Sequence, residues 1–351
     1  MSSKKHIHKL LKWEYWPTLM FYVPNIPFAL YHALKAKNLV FYTAVNPTIE
    51  NSGIGTESKF KTMQLIPEKY LPITIFHKAN SDCTETINKI KQSSISYPLI
   101  AKPDVGFRGL LVKKITSENE LRNYLEKYPI DILIQEFLTE QNECGIFYLR
   151  FPDNQSGKIT SITLKEFLHV VGDGKHTLKE LIVLDNRAKN YLEIIKNNAH
   201  ISFNTIFKNG ERVQLSDIGN HSKGTQFING NHLISKKLEE TITLLNKQVN
   251  GWFYGRIDIK YNSFEELENG KFKILELNGI LAEPTHIYDA TKTSYLQALR
   301  EMRVHWKQLY KIARINHDQK KVPYRSTTAL LKDVYRLKKY TNSISKLNRE
   351  N

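Results

Sequence analysis

Two apolar runs, each carrying a pair of polar residues two positions apart, constrain the fold more than any other part of the sequence. The run YGRIDIKY holds Arg256 and Asp258, and the run KILELNG holds Glu276 and Asn278. Side chains alternate between the two faces of a strand, so each pair shares one face. The dipeptide Asn269-Gly270 between the runs is a strong turn signal. We therefore expect the two runs to pair as antiparallel strands.

Pairing that is symmetric about this turn would set Arg256 near Glu276, with Asp258 on the diagonal, about 5–8 Å apart. Two carboxylates and an amide oxygen then lie on one sheet face beside a guanidinium group. Hard oxygen donors of this kind suit Mg²⁺, which completes its shell with nucleotide phosphate oxygens. The same residues also fit an Arg–Glu ion pair on a solvated sheet face, and both interpretations stay open at this point.

The composition indicates a globular protein with an acidic partner. The chain has 351 residues, 41% of them hydrophobic, and a formal net charge of +16. This charge favours nucleic acid, an anionic membrane or nucleotide phosphates as partners. Zinc spacing and an aromatic-basic RNA strand are both missing, which argues against nucleic acid. Cys83 and Cys144 are too few for a disulfide scaffold, so we expect a reducing cytoplasm.

An apolar stretch near the N-terminus admits three interpretations. Tyr15 to Leu34 contains no Asp, Glu, Lys or Arg and has no cleavage signature of a secretory signal. Its length approaches that of a membrane span, but Pro24, Asn25 and Pro27 would interrupt a helix in lipid. The stretch is an interfacial membrane anchor, the core of a small N-terminal domain, or a span. The basic residues flanking it are Lys4, Lys5, Lys9, Lys12, Lys35 and Lys37.

Lysines and glycines in the part of the sequence that follows suggest a phosphate site. Lys102 lies in the apolar strand YPLIAKP, and burying an ammonium group is costly unless it meets an anion. A loop with Gly106 and Gly109 leads to a returning strand, LLVKKI, and such a loop can lay backbone N–H groups over phosphates. A tight hairpin that needs glycine is the alternative. Lys59 and Lys61, on a short predicted helix, either reach a phosphate or lie on a solvated face.

Taken in order, these segments resemble the ATP-grasp superfamily, in particular its carboxylate–amine ligases. The segment YPLIAKPDVGFRG is similar to the family's lysine strand and glycine-rich loop, and ILIQEFLTEQNE is similar to its adenine-binding hinge. The two strands described first are similar to the family's R-x-D and E-x-N strands. The resemblance spans about Glu57 to Ile315. The carboxylate–amine ligases include D-alanine–D-alanine ligases, glutathione synthetase modules and cyanophycin synthetase.

The resemblance implies an α+β ATP-grasp fold, in which two α+β subdomains grip ATP, with a reduced, apolar N-terminal domain. It also implies roles for individual residues. ATP would be bound by Lys59, Lys102, Gly106, Gly109, the hinge residues Glu136, Phe137 and Leu138, and Glu143 at the ribose. Mg²⁺, or Mn²⁺ in its place, would be held by Asp258, Glu276 and Asn278. The catalytic residues would be Arg256 and Lys102.

Two further segments resemble the cyanophycin synthetase and glutathione synthetase subgroup. One is HVVGDGKHTLKEL, and the other is LSDIGNHSKGTQF, where Asn220, Ser222, Gly224 and Thr225 correspond to a substrate loop. Lys223 stands where threonine is usual, and Thr225 stands where a second glycine is usual, so the substrates cannot be carried over. His286 either contacts the substrate or caps a helix that starts at Tyr288.

Four regions are expected: a basic and apolar region (1–56), an N-terminal ATP-grasp subdomain (57–135), a C-terminal subdomain (136–316) and a tail (317–351). The tail is predicted to be a basic amphipathic helix that docks on its own protein or forms a second basic-apolar element. Its apolar residues recur at helical spacing at Leu330, Leu331, Val334, Leu337 and Tyr340.

The function expected from the resemblance is ATP- and Mg²⁺-dependent ligation of a carboxylate to an amine through an acyl phosphate. The substrates would be small or lipid-linked molecules, and the enzyme would be cytoplasmic, at the inner face of an anionic membrane if the apolar stretch is an anchor. The alternatives are an ATP-grasp phosphotransferase, a ligase to a non-amine acceptor, and a basic nucleic-acid-binding protein without turnover. The sequence does not indicate an oligomeric state.

Overall fold

The computed structural model describes residues 13, 16, 20, 22–106, 109–198, 202–216, 219–220 and 223–347. These residues form two compact units. The first contains residues up to Thr163 together with those from Asn229 onward, and the second runs from Leu164 to Ile228. Eleven strands are found in the described residues, in sheets of four, five and two strands.

The strands are β1 (Thr74–His77), β2 (Leu99–Pro103), β3 (Lys113–Ile115), β4 (Ile132–Glu136), β5 (Asn142–Leu149), β6 (Lys158–Glu166), β7 (His169–Val171), β8 (Arg212–Gln214), β9 (Gln226–Asn229), β10 (Tyr254–Tyr261) and β11 (Lys273–Leu277). Their orders are β1-β4-β2-β3, β11-β10-β5-β6-β9 and β7-β8. The α-helices are α1 (Ile26–Ala36), α2 (Lys59–Met63), α3 (Cys83–Gln92), α4 (Glu118–Lys127), α5 (Leu178–Leu184), α6 (Leu192–Asn198), α7 (Lys236–Gln248), α8 (Phe264–Glu268), α9 (Tyr295–Lys320) and α10 (Thr327–Leu347).

Most of these helices begin where a short polar side chain can cap them. Ser58 accepts a hydrogen bond from the backbone of Lys61, and Thr177 forms a reciprocal capping box with Glu180. At α4 the sequence suggests a similar box between Ser117 and Glu120. Ser117 does accept from the Glu120 backbone, but the Glu120 carboxylate turns to the backbone and hydroxyl of Thr116 instead.

The four-stranded sheet buries the apolar run that carries Lys102. β2 pairs with both β4 and β3 antiparallel, as the returning strand predicted. Along β2 the side chains alternate, so Leu99 and Ala101 are fully buried while Lys102 faces the other way. Leu99 and Ala101 pack with Ile132 and Ile134 of β4 and with residues of α3 and α4 in one core cluster.

The five-stranded sheet is covered on one face by helices near the two ends of the chain. Phe147 of β5 and Tyr254 of β10 pack with Ala33 of α1 and with Ile312 and Ala313 of α9. A buried side chain, Asn46, strengthens this junction because its amide oxygen accepts from the backbone N–H groups of Phe253 (2.8 Å) and Tyr254 (3.1 Å). These contacts fix the end of β10, from which Arg256 and Asp258 project.

Where the N-terminal apolar stretch lies within the described residues, part of it packs on its own protein. Within the stretch, the ring of Trp16 lies 5.2 Å from that of Tyr295, and the Tyr22 hydroxyl donates to Glu283. Trp13, just before the stretch, stacks on Tyr288 at 5.5 Å and donates to the carbonyl of Thr293 (3.2 Å). Pro27 stands in the first turn of α1, where proline is well tolerated. In the described part of the chain, no helix is long and apolar enough to cross a membrane. The flanking Lys4, Lys5, Lys9 and Lys12 lie outside the described residues.

The C-terminal segment forms the predicted helix, α10, which packs against other parts of the first unit. Leu330 and Ile344 are buried, whereas Leu331 and Val334 are exposed. The Asp333 carboxylate accepts from Arg325 (2.6 Å) and from the amide of Asn51 (3.3 Å). The helix therefore contacts the loop around Asn51, and the regular spacing of its apolar residues overstates how much of it is buried.

Candidate active site

The strands β10 and β11 pair antiparallel, but in a different register from the symmetric one. Asp258, not Arg256, lies directly opposite Glu276, and the backbone N–H of Asn278 donates to the carbonyl of Arg256 (2.9 Å). The connection contains the short helix α8, and a register shift follows Asp258. The displacement equals two residues, which preserves the face that each side chain occupies.

Arg256, Asp258 and Asn278 form a connected polar cluster on this face. The Arg256 guanidinium donates to both oxygens of Asp258, at 2.9 and 3.2 Å, and to the carbonyl of Glu283 at 3.2 Å. Asn278 donates its amide N–H to Asp258 at 3.1 Å. Burial lowers the pKa of Arg256, but the adjacent Asp258 carboxylate outweighs this effect and the pKa is raised on balance. Arg256 is therefore a permanent cation in a partly desolvated position.

A glycine on the neighbouring strand leaves room for this ion pair. Gly145 of β5 is the pairing partner of Asp258. A Cβ atom at position 145 would lie 2.8 Å from Cδ of Arg256 and 3.1 Å from Oδ1 of Asp258. Glycine within a strand often marks a close approach of this kind.

The backbone carbonyl of Asn278 is fixed by buried neighbouring residues. It accepts a hydrogen bond from the buried indole of Trp252 (3.2 Å), and Gly255 leaves space for it, since a Cβ there would lie 1.9 Å from this oxygen. The residues after Asn278 then pair with the Asn51–Gly53 loop, because the Ile280 and Leu281 N–H groups donate to the carbonyls of Ser52 and Gly53. The position of Asn278 is thus set by packing as well as by the sheet.

Two lysines reach β11 beside this cluster, Lys102 from the four-stranded sheet and Lys59 from α2. Lys59 forms an ion pair with Glu276 (3.4 Å) and donates to the carbonyl of Gly106. Lys102 donates to the carbonyl of Leu275 on β11 (3.1 Å). Burial lowers the pKa of Lys102 to about 8, and the carboxylates of Glu276, Asp258 and Glu143 only partly oppose this shift. Lys61, two residues after Lys59, is exposed.

A third carboxylate, which the sequence reasoning missed, lies beside these groups. The Glu57 side chain accepts from the backbone N–H of Gly55 (2.6 Å). Burial raises the pKa of Glu57, and repulsion from Glu276 adds to this shift while Lys59 opposes it. The sequence offers no signal for this residue, because Glu57 lies in an irregular segment before α2.

The proposed nucleotide hinge lies between β4 and β5. Glu136 accepts from the backbone N–H of Ile73 (3.0 Å), Phe137 lies under the ammonium group of Lys114, and Leu138 is buried. Lys260 bonds the carbonyls of Leu138 (3.4 Å) and Glu140 (3.1 Å), which fixes the backbone of the hinge.

Glu143 is buried on β5, opposite Lys260 of β10. Its charge acts on both Lys102 and Arg256, favouring their protonated forms. Gly106 and Gly109 both have positive φ, at 141° and 68°, as the predicted loop requires. Phe107 and Arg108 between them lie outside the described residues.

The proposed substrate loop belongs to the second unit. The backbone N–H of Thr225 donates to the carbonyl of Asn220 (3.2 Å), and Arg187 donates to the carbonyls of Gly224 (2.7 Å) and Thr225 (2.8 Å). Thr225 is fully buried, and Gly224 has a φ of 98°. Ser222 lies outside the described residues. The substrate role of this loop stays a prediction.

The segment after β11 differs from the expected helix start. His286 lies in a single 3₁₀ turn, Thr285–Tyr288, and the next helix begins only at Tyr295, capped by Ser294. Capping of a helix from Tyr288 is therefore wrong for His286. The ring is buried, and burial lowers the pKa of His286 to about 4, so it is neutral at physiological pH. Contact with a substrate stays a prediction.

Glu283, in the same segment, is a second acid that the sequence reasoning missed. Its two carboxylate oxygens accept from the hydroxyl groups of Tyr22 and Tyr288, the latter at 2.6 Å. Burial raises the pKa of Glu283. Because its carbonyl accepts from Arg256, Glu283 connects the N-terminal segment to the guanidinium. A lone acid in the run ILAEPTHIY was the available signal.

The donor set fits a divalent cation that shares its coordination with a nucleotide. Within the described ranges, no three His, Cys, Asp or Glu side chains cluster as a metal site made only of these residue types. The candidate set instead combines two carboxylates, Asp258 and Glu276, with the amide of Asn278. Asn278 points its N–H at Asp258, which leaves the amide oxygen to serve as a ligand. Few protein oxygens are typical of Mg²⁺ sites that hold phosphates.

Comparison with known proteins identifies a domain that contains part of this site, but not Asp258, Glu276 or Asn278. Residues 56–175 match the family model of the RimK-like ATP-grasp domain. This part of the chain, about a third of it, is similar to a RimK-like ATP-grasp domain. Its fold class is thereby confirmed as an ATP-grasp fold that mixes helices and sheets. The matched residues include the lysine strand, the glycine loop, the hinge and Glu143.

Two curated relatives are glutathione biosynthesis bifunctional proteins GshAB of two Streptococcus agalactiae strains. Each is 23% identical over 220 residues, which cover 56% of this chain and 28% of the relative. The match thus spans little more than a quarter of their length.

Solved structures of low identity are also similar. The VanG D-Ala:D-Ser ligase of Enterococcus faecalis is 13% identical, with a TM-score of 0.43 over 74% of this chain and 64% of that chain. The bifunctional glutathione synthetase of Pasteurella multocida is 14% identical, with a TM-score of 0.39 over 70% and 36%. The D-alanine–D-alanine ligase of Bacillus anthracis complexed with ATP is 13% identical, with a TM-score of 0.40 over 75% and 70%.

Proposed function

We propose that the protein is an ATP- and Mg²⁺-dependent ligase that joins a carboxylate to an amine and releases ADP and phosphate. The observation that carries this proposal is that three cations lie beside two carboxylates. Lys59 pairs with Glu276, Arg256 pairs with Asp258, and Lys102 donates to the carbonyl of Leu275, next to Glu276. A phosphate-rich ligand would satisfy the three cations, and the matching ATP-grasp domain supports ATP as that ligand.

The proposed reaction has two displacement steps. A substrate carboxylate oxygen attacks the γ-phosphorus of ATP, the bond to the β-phosphate oxygen breaks, and ADP leaves with its electron pair. The amine nitrogen then attacks the acyl carbon, the carbon–oxygen bond to phosphate breaks, and the amine loses a proton to solvent. Both steps bring anions or developing anions together, so neutralising and orienting charge is the main task of the site.

The side chains divide this task by position. Lys59 and Lys102 would bind nucleotide phosphates, Glu143 the ribose hydroxyls and the Glu136–Leu138 backbone the adenine. Arg256 would stabilise the acyl phosphate and the tetrahedral state. A bound Mg²⁺ would supply charge neutralisation at the phosphates, with Asp258, Glu276 and Asn278 as its ligands. We place the enzyme in the cytoplasm, with small or lipid-linked substrates.

Hydroxylamine trapping tests the reaction class. Purified full-length protein is incubated with ATP, Mg²⁺, hydroxylamine and fractions of a metabolite and lipid extract. The proposal expects ADP release together with a hydroxamate of the acid substrate, because hydroxylamine intercepts an acyl phosphate. ADP release with a stable phosphorylated product, and no hydroxamate, would instead select a phosphotransferase.

Lys59 and Lys61 provide a matched pair for this experiment. Both lie on α2, but Lys59 contacts Glu276 and Gly106 whereas Lys61 is exposed. Lys59→Ala should lower the rate about 100-fold, as expected for loss of one group that stabilises developing charge. Lys61→Ala should leave it unchanged. Equal effects of the two substitutions would remove Lys59 from the site.

A further inference from the structure

An exposed aliphatic stripe runs along α1 and the turns beside it. Val23, Ile26, Leu30 and Leu34 recur at three- and four-residue spacing, which places them on one face of the helix. Leu30 is 50% exposed, Leu34 is 74% exposed and the nearby Leu39 is 61% exposed. A contiguous apolar surface of this kind is uncommon on a protein that has no partner there.

The opposite face of the same helix is fixed in the core. His32, Ala33 and Ala36 are buried, and the two alanines pack against Leu309 and Ile312 of α9. The stripe is therefore separate from the face of α1 that packs in the core. Since the inner side of α1 is already packed against α9, the outer side can bind a surface while the protein stays folded.

A basic row on α9 borders the stripe. The exposed residues along the first four turns of this helix are Leu296, Gln297, Arg300, Arg303, Val304, Lys307 and Lys311. Arg303 donates to the side chain of Asn25 (3.0 Å), and the charge of Lys307 acts on His32, so this row lies alongside α1. Glu301, the one acid in this part of α9, is half-buried, and burial raises its pKa.

The segment that carries the stripe has basic side chains and no acidic ones. Lys35 and Lys37 lie at the C-terminal end of α1, and no Asp or Glu occurs from residue 22 to residue 49. Together with the α9 row, this gives six exposed basic side chains beside the aliphatic stripe, of which Lys35 lies within reach of the rings of Tyr31 and Tyr310.

We propose that this face, α1 with the outer side of α9, lies on an anionic bilayer surface. The aliphatic side chains would enter the acyl boundary, and the lysines and arginines would meet lipid phosphates, as in helices that lie in the plane of a membrane interface. A nucleic acid would match the basic row but would leave the leucines facing phosphate. A second copy of the chain would place basic row against basic row. The inference does not depend on the ligase activity.

Vesicle sedimentation tests this proposal on the full-length protein. The probes are vesicles of phosphatidylcholine alone and of an equal mixture of phosphatidylcholine and phosphatidylglycerol. The proposal expects binding to the anionic vesicles that weakens with added salt, since screening reduces attraction between exposed charges. Failure to bind either vesicle, or equal binding to both, would overturn it.

Paired variants locate the binding surface. Leu30→Ser combined with Leu34→Ser should weaken vesicle binding at least about tenfold. The matched control is Leu244→Ser combined with Leu331→Ser, two leucines on α7 and α10 that are 60% and 63% exposed. This control should bind like the wild type. Equal losses in both variants would place the contact elsewhere.

A second pair tests the basic row. Arg300→Glu combined with Lys307→Glu should abolish the preference for anionic lipid, whereas Lys78→Glu combined with Lys271→Glu makes the same charge change on other exposed positions. Thermal unfolding of every variant should match the wild type, because all of these side chains are exposed. If sedimentation without lipid shows a dimer that Leu30→Ser and Leu34→Ser dissolve, the face is a contact between copies and the proposal is wrong.

Discussion

Lys102 shows how strongly its surroundings decide the chemistry of a single side chain. In the sequence it is one lysine in an apolar strand. In the structure its ammonium group reaches a backbone carbonyl of β11, and burial lowers its pKa to about 8. A lysine held in this way is mostly charged at neutral pH but loses its proton near pH 8 unless an anion is bound, so its protonation and the binding of a phosphate are linked.

This linkage predicts a pH dependence of ATP binding. A bound phosphate favours the charged ammonium and raises its pKa, so affinity should be constant below about pH 8 and should fall up to about tenfold per pH unit above it. The measurement is calorimetric titration with a non-hydrolysable ATP analogue. Lys102→Arg keeps the charge at all these pH values and should remove the dependence on this group. Identical pH profiles for wild type and Lys102→Arg would contradict the prediction.

Gly145 supplies a second prediction at the residue scale. In Gly145→Ala the new methyl group would lie 2.8 Å from Arg256 Cδ, so the guanidinium must shift from Asp258. Overpacking of this kind costs about 1–3 kcal/mol. We expect turnover to fall at least about tenfold, because a misplaced charge no longer meets the reacting group. Wild-type turnover and stability in this variant would show that the ion pair tolerates the displacement.

Secondary-structure elements show which features the sequence predicted and which it did not. The alternation in β10 and β11 correctly predicted which side chains share a face, because that follows from strand geometry alone. The register was wrong by two residues, because the connection contains α8 and a register shift after Asp258. Local turn signals such as Asn269-Gly270 do not reveal either feature.

Contacts between elements that are distant in the sequence could not be predicted, for a different reason. Glu283 meets Tyr22, 261 positions away, and Asn51 meets Asp333, 282 positions away. Neither pair has a local pattern, since both depend on how helices near the chain ends cover the sheet. The same cause explains Gly145, whose meaning appears only when Asp258 lies opposite it.

The Asp333 contact gives a prediction for α10. Asp333 is mostly buried and accepts from Arg325 and Asn51, whereas Asp318 forms an exposed pair with Arg314 at the same 2.6 Å distance. Asp333→Ala should lower the free energy of unfolding by about 1–2 kcal/mol, because the Asn51 amide loses a partner. Asp318→Ala should cost less than about 1 kcal/mol. Chemical denaturation measures the free energy of unfolding of both variants. Equal losses in the two would show that Asp333 of α10 does not stabilise the Asn51 loop.

The pH dependence of this contribution has a definite sign. The hydrogen bond from Arg325 lowers the pKa of Asp333 below its ordinary value. The stabilisation by Asp333 is therefore present above the unfolded-state pKa of about 3.9 and is lost as the pH falls through the lower folded-state pKa. The difference in unfolding free energy between wild type and Asp333→Ala should shrink only in acid, below about pH 4.

For the whole molecule, the proposed activity requires the two sheets of the first unit to act together. The four-stranded sheet contributes Lys102, and the five-stranded sheet contributes Glu143, Arg256, Asp258 and Glu276. The five-stranded sheet alone provides Arg256 and the carboxylates, but the buried lysine comes only from the four-stranded sheet. The sequence indicated this through the order of its motifs, but the substrates stay open, because the proposed substrate loop departs from its relatives at Lys223 and Thr225.

The central claim is that Glu276 and Asn278 bind a metal ion that carries ATP. The measurement is the affinity of a non-hydrolysable ATP analogue with and without Mg²⁺, for wild type, Glu276→Gln, Asn278→Ala and the control Glu265→Gln. Glu265 is an exposed carboxylate between the same two strands. We predict that Mg²⁺ increases affinity at least about tenfold for wild type and Glu265→Gln and has little effect in the other two variants. An equal Mg²⁺ effect in all four proteins, or no binding by the wild type, would contradict the account.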